Sequence, residues 1–452
     1  MNIKPLLSLV ALSLLSGSAA AMGPHELLVL ANENSEGSVT IARRYMEWRR
    51  IPPSNLVLLK LPAPYAEGQT GMGLDEFKRL ILNPASKAVR QRGIDDHILA
   101  WVYSTGFPTR IDTPERISIL GATFLRGEPP VAEAILKAQY ASPLFAGPEW
   151  LRGTISAPQT FDQYAKWINR DMPLPSMMLG YTGERGNTGE EVASALWKGV
   201  QSDRTHPTGT VYFVTTGDKR SPCREWQYEG AKRELAQKGV AAVVTASFPE
   251  GKRDVLGLMT GTASVKPGRV KGYVPGSLAE HLTSFAGAFE QASQSKMSLW
   301  IRDGATLSAG TVTEPRAMYH KFPTARFYVY YAQGCTAIES FYQALRCPLQ
   351  ILLLGDPLAS PWAVSDEVVL AELPVAPVSV PFVVSALLKR SDPMRFYSRY
   401  LWLVDGRVVG EGKRLQIETA GLTPGAHQLR VVAYSTGLVR HQIFAVEEFT
   451  VQ

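Results

Sequence analysis

The residues of this chain with the most chemical potential stand close together. Glu280, His281 and Ser284 fall within PGSLAEHLTSFAG, and Glu314 follows in ATLSAGTVTEP. A carboxylate, an imidazole and a hydroxyl are the parts a hydrolase uses. His281 or Glu314 would serve as base on a water or on the Ser284 hydroxyl. The same letters also spell a helix start, because Ser277-x-x-Glu280 after Pro275-Gly276 matches a capping box. That reading explains Glu280 without catalysis and puts His281 and Ser284, three apart, on one helix face. The hydrolytic candidates are therefore His281, Ser284 and Glu314.

A second set of residues lies in short loops after strand-like runs: Thr105 and Gly106 in STGFP, Asp218 in TTGD, Thr260 and Gly261 in MTGT, and Gly310 and Thr311 in SAGTVTE. In a parallel sheet, ligands sit beyond the carboxyl ends of the strands, where such loops leave. These seven are candidate ligand-binding residues, with turn and cap formation as the structural alternative. The small residues Gly304, Ala305, Ala309 and Gly310 would let a backbone or a ligand approach closely. Asp356, in the GDP that closes the last apolar strand, is expected to cap a turn. The seven histidines form no HxH, HExxH or Cys/His set, and there is no Gly-rich phosphate loop and no GxSxG elbow, so no metal and no cofactor is expected.

The elements that must position these residues alternate along the chain. ELLVLAN, SVTIARRYMEWRR, NLVLLKLP, LDEFKRLIL and HILAWVYSTGF read strand, helix, strand, helix, strand, and the alternation continues to LQILLLGDP. This order predicts an α/β fold, a mostly parallel sheet flanked by helices, over residues 22–363. After Trp362 the pattern changes to alternating strands joined by turns such as Asp405-Gly406 and Pro424-Gly425. Residues 364–452 therefore predict a C-terminal all-β immunoglobulin-like sandwich, with Pro-rich ELPVAPVSVP as its first, edge strand.

The N-terminus reads as a leader. Lys4 precedes an apolar run and the small residues Ala19-Ala20-Ala21, which predicts a signal peptide over 1–21, cut after Ala21, and an exported, periplasmic or extracellular protein. The run is shorter than the ~20 residues that span a bilayer, so no transmembrane segment is expected. Three cysteines exclude a disulfide framework. Cys335 and Cys347 are expected to be buried, and Cys223 precedes a helix-like stretch. The net charge of +6 is spread among acids without a basic run, which argues against a nucleic-acid partner.

Taken as a set, NSEGSVTIARRYMEWRRIPPSNLVLL, STGFPTRI, PGSLAEHLTSFAG, DGATLSAGTVTEP and GCTAIESFYQALRCPLQILLLGDPLASPW resemble a family of exported bacterial proteins to which no activity is attached. The resemblance covers roughly residues 26–363. More distantly, an α/β layout ending in a GDP strand and followed by an Ig-like module is similar to gingipain-type peptidases of the caspase-like group. In those enzymes a His-Gly follows one central strand and a nucleophilic Cys follows the next. Here Thr260-Gly261 stands where the His-Gly is expected, and Gly310 or Thr311 where the Cys is expected. The resemblance thus implies a caspase/gingipain-like architecture without the Cys-His dyad. The leading expectation is a cleft that binds a ligand or peptide, with an unknown peptide, glycan or envelope protein as partner. The alternative is a hydrolase using His281, Glu314 and Ser284.

Overall fold

The computed structural model describes residues 19–147, 158–167, 173–266 and 268–452. Most of the expected leader, residues 1–18, lies outside the described residues. In chain order the strands are β1 (Ala19–Ala20), β2 (Leu27–Asn32), β3 (Leu56–Leu59), β4 (Gly71–Gly73), β5 (Ala100–Tyr103), β6 (Arg110–Asp112), β7 (Ile117–Ser118), β8 (Ser176–Met178), β9 (Thr210–Val214), β10 (Ala241–Thr245), β11 (Val255–Gly261), β12 (Tyr273–Leu282), β13 (Leu307–Thr311) and β14 (Ile351–Gly355). The C-terminal strands are β15 (Glu367–Ala371), β16 (Phe382–Lys389), β17 (Tyr397–Val404), β18 (Arg407–Glu411), β19 (Arg414–Ile417), β20 (Gly425–Ser435) and β21 (Gln442–Val451).

Ten of these strands form one mixed sheet in the order β10-β9-β11-β12-β13-β14-β8-β5-β2-β3. Every neighbouring pair is parallel except β13 with β14. The sheet is therefore two parallel halves joined back to back. Numbered by appearance, each half reads 2-1-3-4-5 from its outer edge inward, and the last strand of each meets the other at the centre. Because β13 and β14 run oppositely, the carboxyl ends of the two halves lie on opposite edges of the sheet. The loop after β5 and the loops after β9, β11 and β13 therefore do not share one site.

Strands buried on both faces carry near-continuous apolar runs, and β2, β5, β11 and β14 are buried at every position. In the second half, alternate residues feed two cores. Val211, Phe213, Met259, Leu278 and Leu282 join the main core. Tyr212, Val214, Leu258 and Ala279 join a smaller one with Trp300 and Ala305 on the other face.

PGSLAEHL is part of strand β12 and not a helix start. Glu280, on the main-core side, is 1% exposed and pairs with Arg224 at 2.6 Å. The capping box expected at Ser277 is absent because both faces of β12 are covered, and main-chain pairing with β11 outweighs a local cap. Asp356 caps its turn as expected, accepting the Leu358 N–H at 3.0 Å. It is also the centre of a buried charge network. It meets Arg49, which pairs with Asp203 as well, and it accepts the Tyr45 hydroxyl at 2.8 Å.

The C-terminal residues form a β sandwich with its own core, from Val364 to Val451, in two sheets ordered β1-β21-β20-β17-β18 and β15-β16-β19. ELPVAPVSVP is not its first strand. Glu367–Ala371 takes that place, and the Pro-rich stretch contributes only a bridge from Val378 to Val451. Its prolines have no N–H with which to sustain a ladder.

His427 on β20 lies between two acceptors, the Asp405 carboxylate at 2.6 Å and the Thr423 carbonyl at 2.7 Å. Burial opposes its charge, but these two contacts hold its pKa above the ordinary imidazole value. A raised folded pKa contributes stability that is present below the unfolded value and lost as pH rises through the folded one. Urea unfolding is therefore expected to show a larger gap between the parent chain and His427→Gln near pH 5.5 than near pH 8.5. An equal gap at both would mean that the ring stays neutral.

Candidate functional site

In a 2-1-3-4-5 half-sheet the chain turns outward after the first strand and inward after the third, which leaves a crevice between those two at their carboxyl ends. This fold has two such switch points. In the first half it lies between β2 and β5, and it is closed. The Asn32 side-chain amide donates to the Gly106 carbonyl at 2.9 Å, and the Ser104 hydroxyl donates to the Ser38 carbonyl at 2.7 Å. Thr105 is 1% exposed, and Gly106, at φ +74°, packs against Ser35. Thr105 and Gly106 seat the helix Glu36–Arg49 on the sheet, so the structure gives them no ligand role.

The second switch point, between β9 and β11, is open. A cavity of about 250 Å³ lies there, lined by Val214 at the end of β9 and Thr216 just after it, Ala246 and Phe248 after β10, Thr260 and Thr262 at the end of β11, and then Ser264, Val265, Lys266 and Arg269. Four hydroxyls and two cations surround an apolar floor, and no carboxylate is among the lining residues. Lys266 is exposed, and Arg269, also exposed, reaches Glu250 at 3.5 Å.

The loops that shape this crevice are braced from beneath. The Thr216 hydroxyl donates to the Gly261 carbonyl at 2.7 Å, and the Thr260 hydroxyl donates to the Val214 carbonyl at 3.1 Å. Gly261 is required by a close approach, since a Cβ there would lie 2.7 Å from the backbone of Arg220 and Ser221. Asp218 accepts the N–H groups of Arg220 at 3.0 Å and Ala263 at 3.1 Å. Burial works against its charge, but those N–H groups and the Arg220 guanidinium hold its carboxyl below the ordinary value. Asp218 thus ties the β9 loop to the β11 loop and stands behind the crevice rather than in it.

The remaining expected residues are structural. The Thr311 hydroxyl donates to the carbonyls of Thr283 and Ser284 at 2.9 Å each, and Gly310 is covered by Ala286 and Gly287. His281 is 1% exposed on the Trp300 side of the sheet. Its Nδ1 accepts the Trp300 indole N–H at 3.0 Å, which leaves Nε2 as the donor to the Ser295 carbonyl at 3.2 Å. Burial first, opposed by the Ser295 contact, takes its pKa down to about 4. Such a ring is neutral with no free lone pair, so it has no proton to give and none to take. Ser284 is 8% exposed, and Glu314 is exposed, accepting the Arg316 N–H at 2.8 Å. No hydrogen bond joins any two of His281, Ser284 and Glu314.

Of the expected ligand residues, then, only Thr260 lines the crevice, with Asp218 and Gly261 shaping it. Ser264, Lys266, Arg269 and Phe248 carry no signal of their own in the sequence. They become a set only once the strand order is known. A larger cavity of about 400 Å³, lined by Asp95, Asp96, Trp101, Phe161 and Pro175 among others, lies at the amino-terminal ends of β5 and β8. Among the described residues no group of three or more His, Cys, Asp or Glu could hold a metal ion, and no helix is long and apolar enough to cross a membrane. All three cysteines are free, with Cys335 and Cys347 buried and Cys223 half-buried. Burial pushes all three thiols up.

These features define a class no finer than an α/β protein with a mixed sheet, one open switch-point crevice and a C-terminal β sandwich. No family model and no curated protein matches the chain. Among solved structures, the fibronectin(III)-like modules of Clostridium thermocellum CbhA match over 19% of this chain and 96% of theirs, at 23% identity and a TM-score of 0.16.

Proposed function

We propose that this is an exported protein, with its leader removed after Ala21, that binds a small anionic ligand or the acidic end of a peptide in the crevice between β9 and β11. The observation that carries the reading is the position and lining of the cavity: Lys266, Arg269 and the Ser264 hydroxyl at the one switch point left open, the hydroxyls of Thr216, Thr260 and Thr262 being already donated to backbone carbonyls. Two cations and one hydroxyl donor in a partly apolar cleft suit carboxylate or phosphate oxygens. In this reading the α/β unit is a relative of the gingipain and caspase-like architecture that has kept a ligand cleft and lost the Cys-His dyad. The sandwich is an immunoglobulin-like module that braces it or docks it to an envelope partner. The hydrolase alternative, with His281 or Glu314 as base, is less favoured, since both nitrogens of His281 are engaged and the exposed Glu314 accepts the Arg316 N–H.

The test is calorimetric titration of the purified protein with small carboxylates, phosphorylated sugars and short acidic peptides. At least one class should bind, and Lys266→Ala/Arg269→Ala should weaken it about tenfold or more, since charge-assisted contacts of this kind contribute roughly 1.5–3 kcal/mol each. Both side chains are exposed, so the fold should be unchanged. Binding unaffected by the double variant would remove the crevice as the site. Turnover of an ester or peptide substrate lost in His281→Ala would overturn the binding-only reading.

A further inference from the structure

The peptide bond between Ala21 and Met22 lies inside the protein, where the two residues are 2% and 1% exposed. Here the N-terminal segment threads between the α/β unit and the sandwich. β1 pairs antiparallel with β21, Ala20 opposite Gln442. The Gln442 amide donates to the Ala21 carbonyl at 2.9 Å and to Glu26 Oε2 at 2.7 Å, and the Gly23 N–H donates to the same oxygen at 2.8 Å. The Glu26 carboxylate therefore faces the backbone of residues 21–23.

Glu26 is 4% exposed, and among the described residues no lysine or arginine forms an ion pair with it. His25 Nε2 lies 3.8 Å from its Oε1 but is engaged with the Tyr434 hydroxyl at 3.0 Å. Burial first, then His97, Arg430 and Arg399, keep His25 well below the ordinary value and so neutral. Asp162 and Glu339 add negative charge nearby; among the described residues Arg440 pairs with Asp162 at 2.6 Å, and Arg399, which also acts on Asp162, pairs with Glu411 at 2.6 Å. Burial, then Asp162, push the Glu26 carboxyl up to about 8. Among the described residues it is held by neutral donors without an ion-paired lysine or arginine, and it lies beside the backbone of residues 21–23, where the leader is expected to end.

We propose that the α-ammonium released at Met22 by cleavage after Ala21 is the counter-charge of Glu26, so that leader removal completes the contact between the two domains. This rests on the reading of residues 1–21 as a cleaved leader. A signal-peptidase-type hydrolysis adds water across the amide. Ala21 leaves with the new carboxylate, and Met22 keeps the amine, which is protonated near neutral pH. Because the bond is buried in the folded chain, cleavage precedes closure of this contact. An ammonium enclosed without a partner would be costly, and the Glu26 carboxylate already holds the N–H of Gly23, the next residue. The β1 pairing and the Gln442 bond to the Ala21 carbonyl leave with the leader, while the Gln442 bond to Glu26 stays.

The experiment compares two forms: the protein purified after export, and one made without export that keeps Ala19–Ala21 ahead of Met22. In the retained form Glu26 has a raised folded pKa, so stability falls as pH rises from the ordinary carboxyl range through about 8. Glu26→Gln should stabilise that form near pH 8. In the exported form the ammonium keeps the carboxylate charged, and Glu26→Gln should lower the folding equilibrium constant about tenfold or more near pH 7. Effects of the same sign in both forms would overturn the proposal while leaving the leader reading intact. A mass showing an N-terminus other than Met22 would overturn both. Should the variant fail to fold, acetylation of the exported parent decides the matter: the Met22 amine should resist acetic anhydride while surface lysines react, and rapid labelling would overturn the pairing.

Discussion

Arg224→Met is expected to destabilise the protein by about 3–5 kcal/mol, the usual cost of orphaning a buried charge. Both Arg224 and Glu280 are 1% exposed and pair at 2.6 Å. The guanidinium also donates to the Pro323 carbonyl at 3.0 Å and the Thr260 carbonyl at 2.8 Å, joining β11 and β12 to the segment after β13. Methionine fills much of the volume but leaves Glu280 without its cation and two carbonyls without a donor. Burial raises the Glu280 pKa and Arg224 pulls it back, so removing Arg224 raises it further. A carboxyl raised in the folded state costs stability above its unfolded pKa and returns it as pH falls through the folded value. The deficit should therefore shrink on acidification. Arg224→Met/Glu280→Leu should recover most of the loss, because replacing both charges with apolar groups removes the desolvation cost of each. Urea unfolding of the parent, the two single variants and the double variant gives the cycle. A loss under about 1 kcal/mol in Arg224→Met would mean that solvent reaches Glu280 and the pair is not closed.

Gly310→Val should cost about 3 kcal/mol or more, at the upper end of overpacking. A Cβ at Gly310 would lie 2.7 Å from Ala286 Cβ and 2.9 Å from the Ala286 and Gly287 backbone. The crossover cannot lift away cheaply, because the Gly287 N–H donates to the Thr311 carbonyl at 2.9 Å. Gly217 supplies the control. A Cβ there meets nothing within 4 Å, so Gly217→Ala should stay within about 0.5 kcal/mol of the parent. Denaturant midpoints that coincide for the two variants would mean that Gly310 faces open space, as a ligand-binding glycine would.

Much of the architecture is legible without coordinates. Alternating apolar runs and amphipathic stretches mark the strands and helices of the sheet, because short apolar strands and helices with a 3.6 period differ in length and rhythm. The turns Asp405-Gly406 and Pro424-Gly425 mark the sandwich. The segment PGSLAEHLTSFAG imitates a helix start for a physical reason. A strand with both faces buried shows no period of two, so Leu278, Glu280 and Leu282 toward one core and Ala279 and His281 toward the other look like a mixed helical face. Ser277-x-x-Glu280 then supplies a false cap. The prolines of ELPVAPVSVP mislead in the same way, since tolerance of proline at an edge is not evidence of pairing.

By itself the sequence determined the order of elements, the change of pattern near Trp362, the absence of a thiol in the loops after β11 and β13, and the small residues that allow close packing. Only the tertiary structure decided which loops share an edge, because strand order and direction arise from contacts between residues far apart in the chain. The reversal between β13 and β14 separates Thr105 from Thr260, and the pleat sends Glu280 and His281 to opposite faces. The same long-range contacts leave the crevice between β9 and β11 open while Asn32 and Ser104 close its counterpart in the first half.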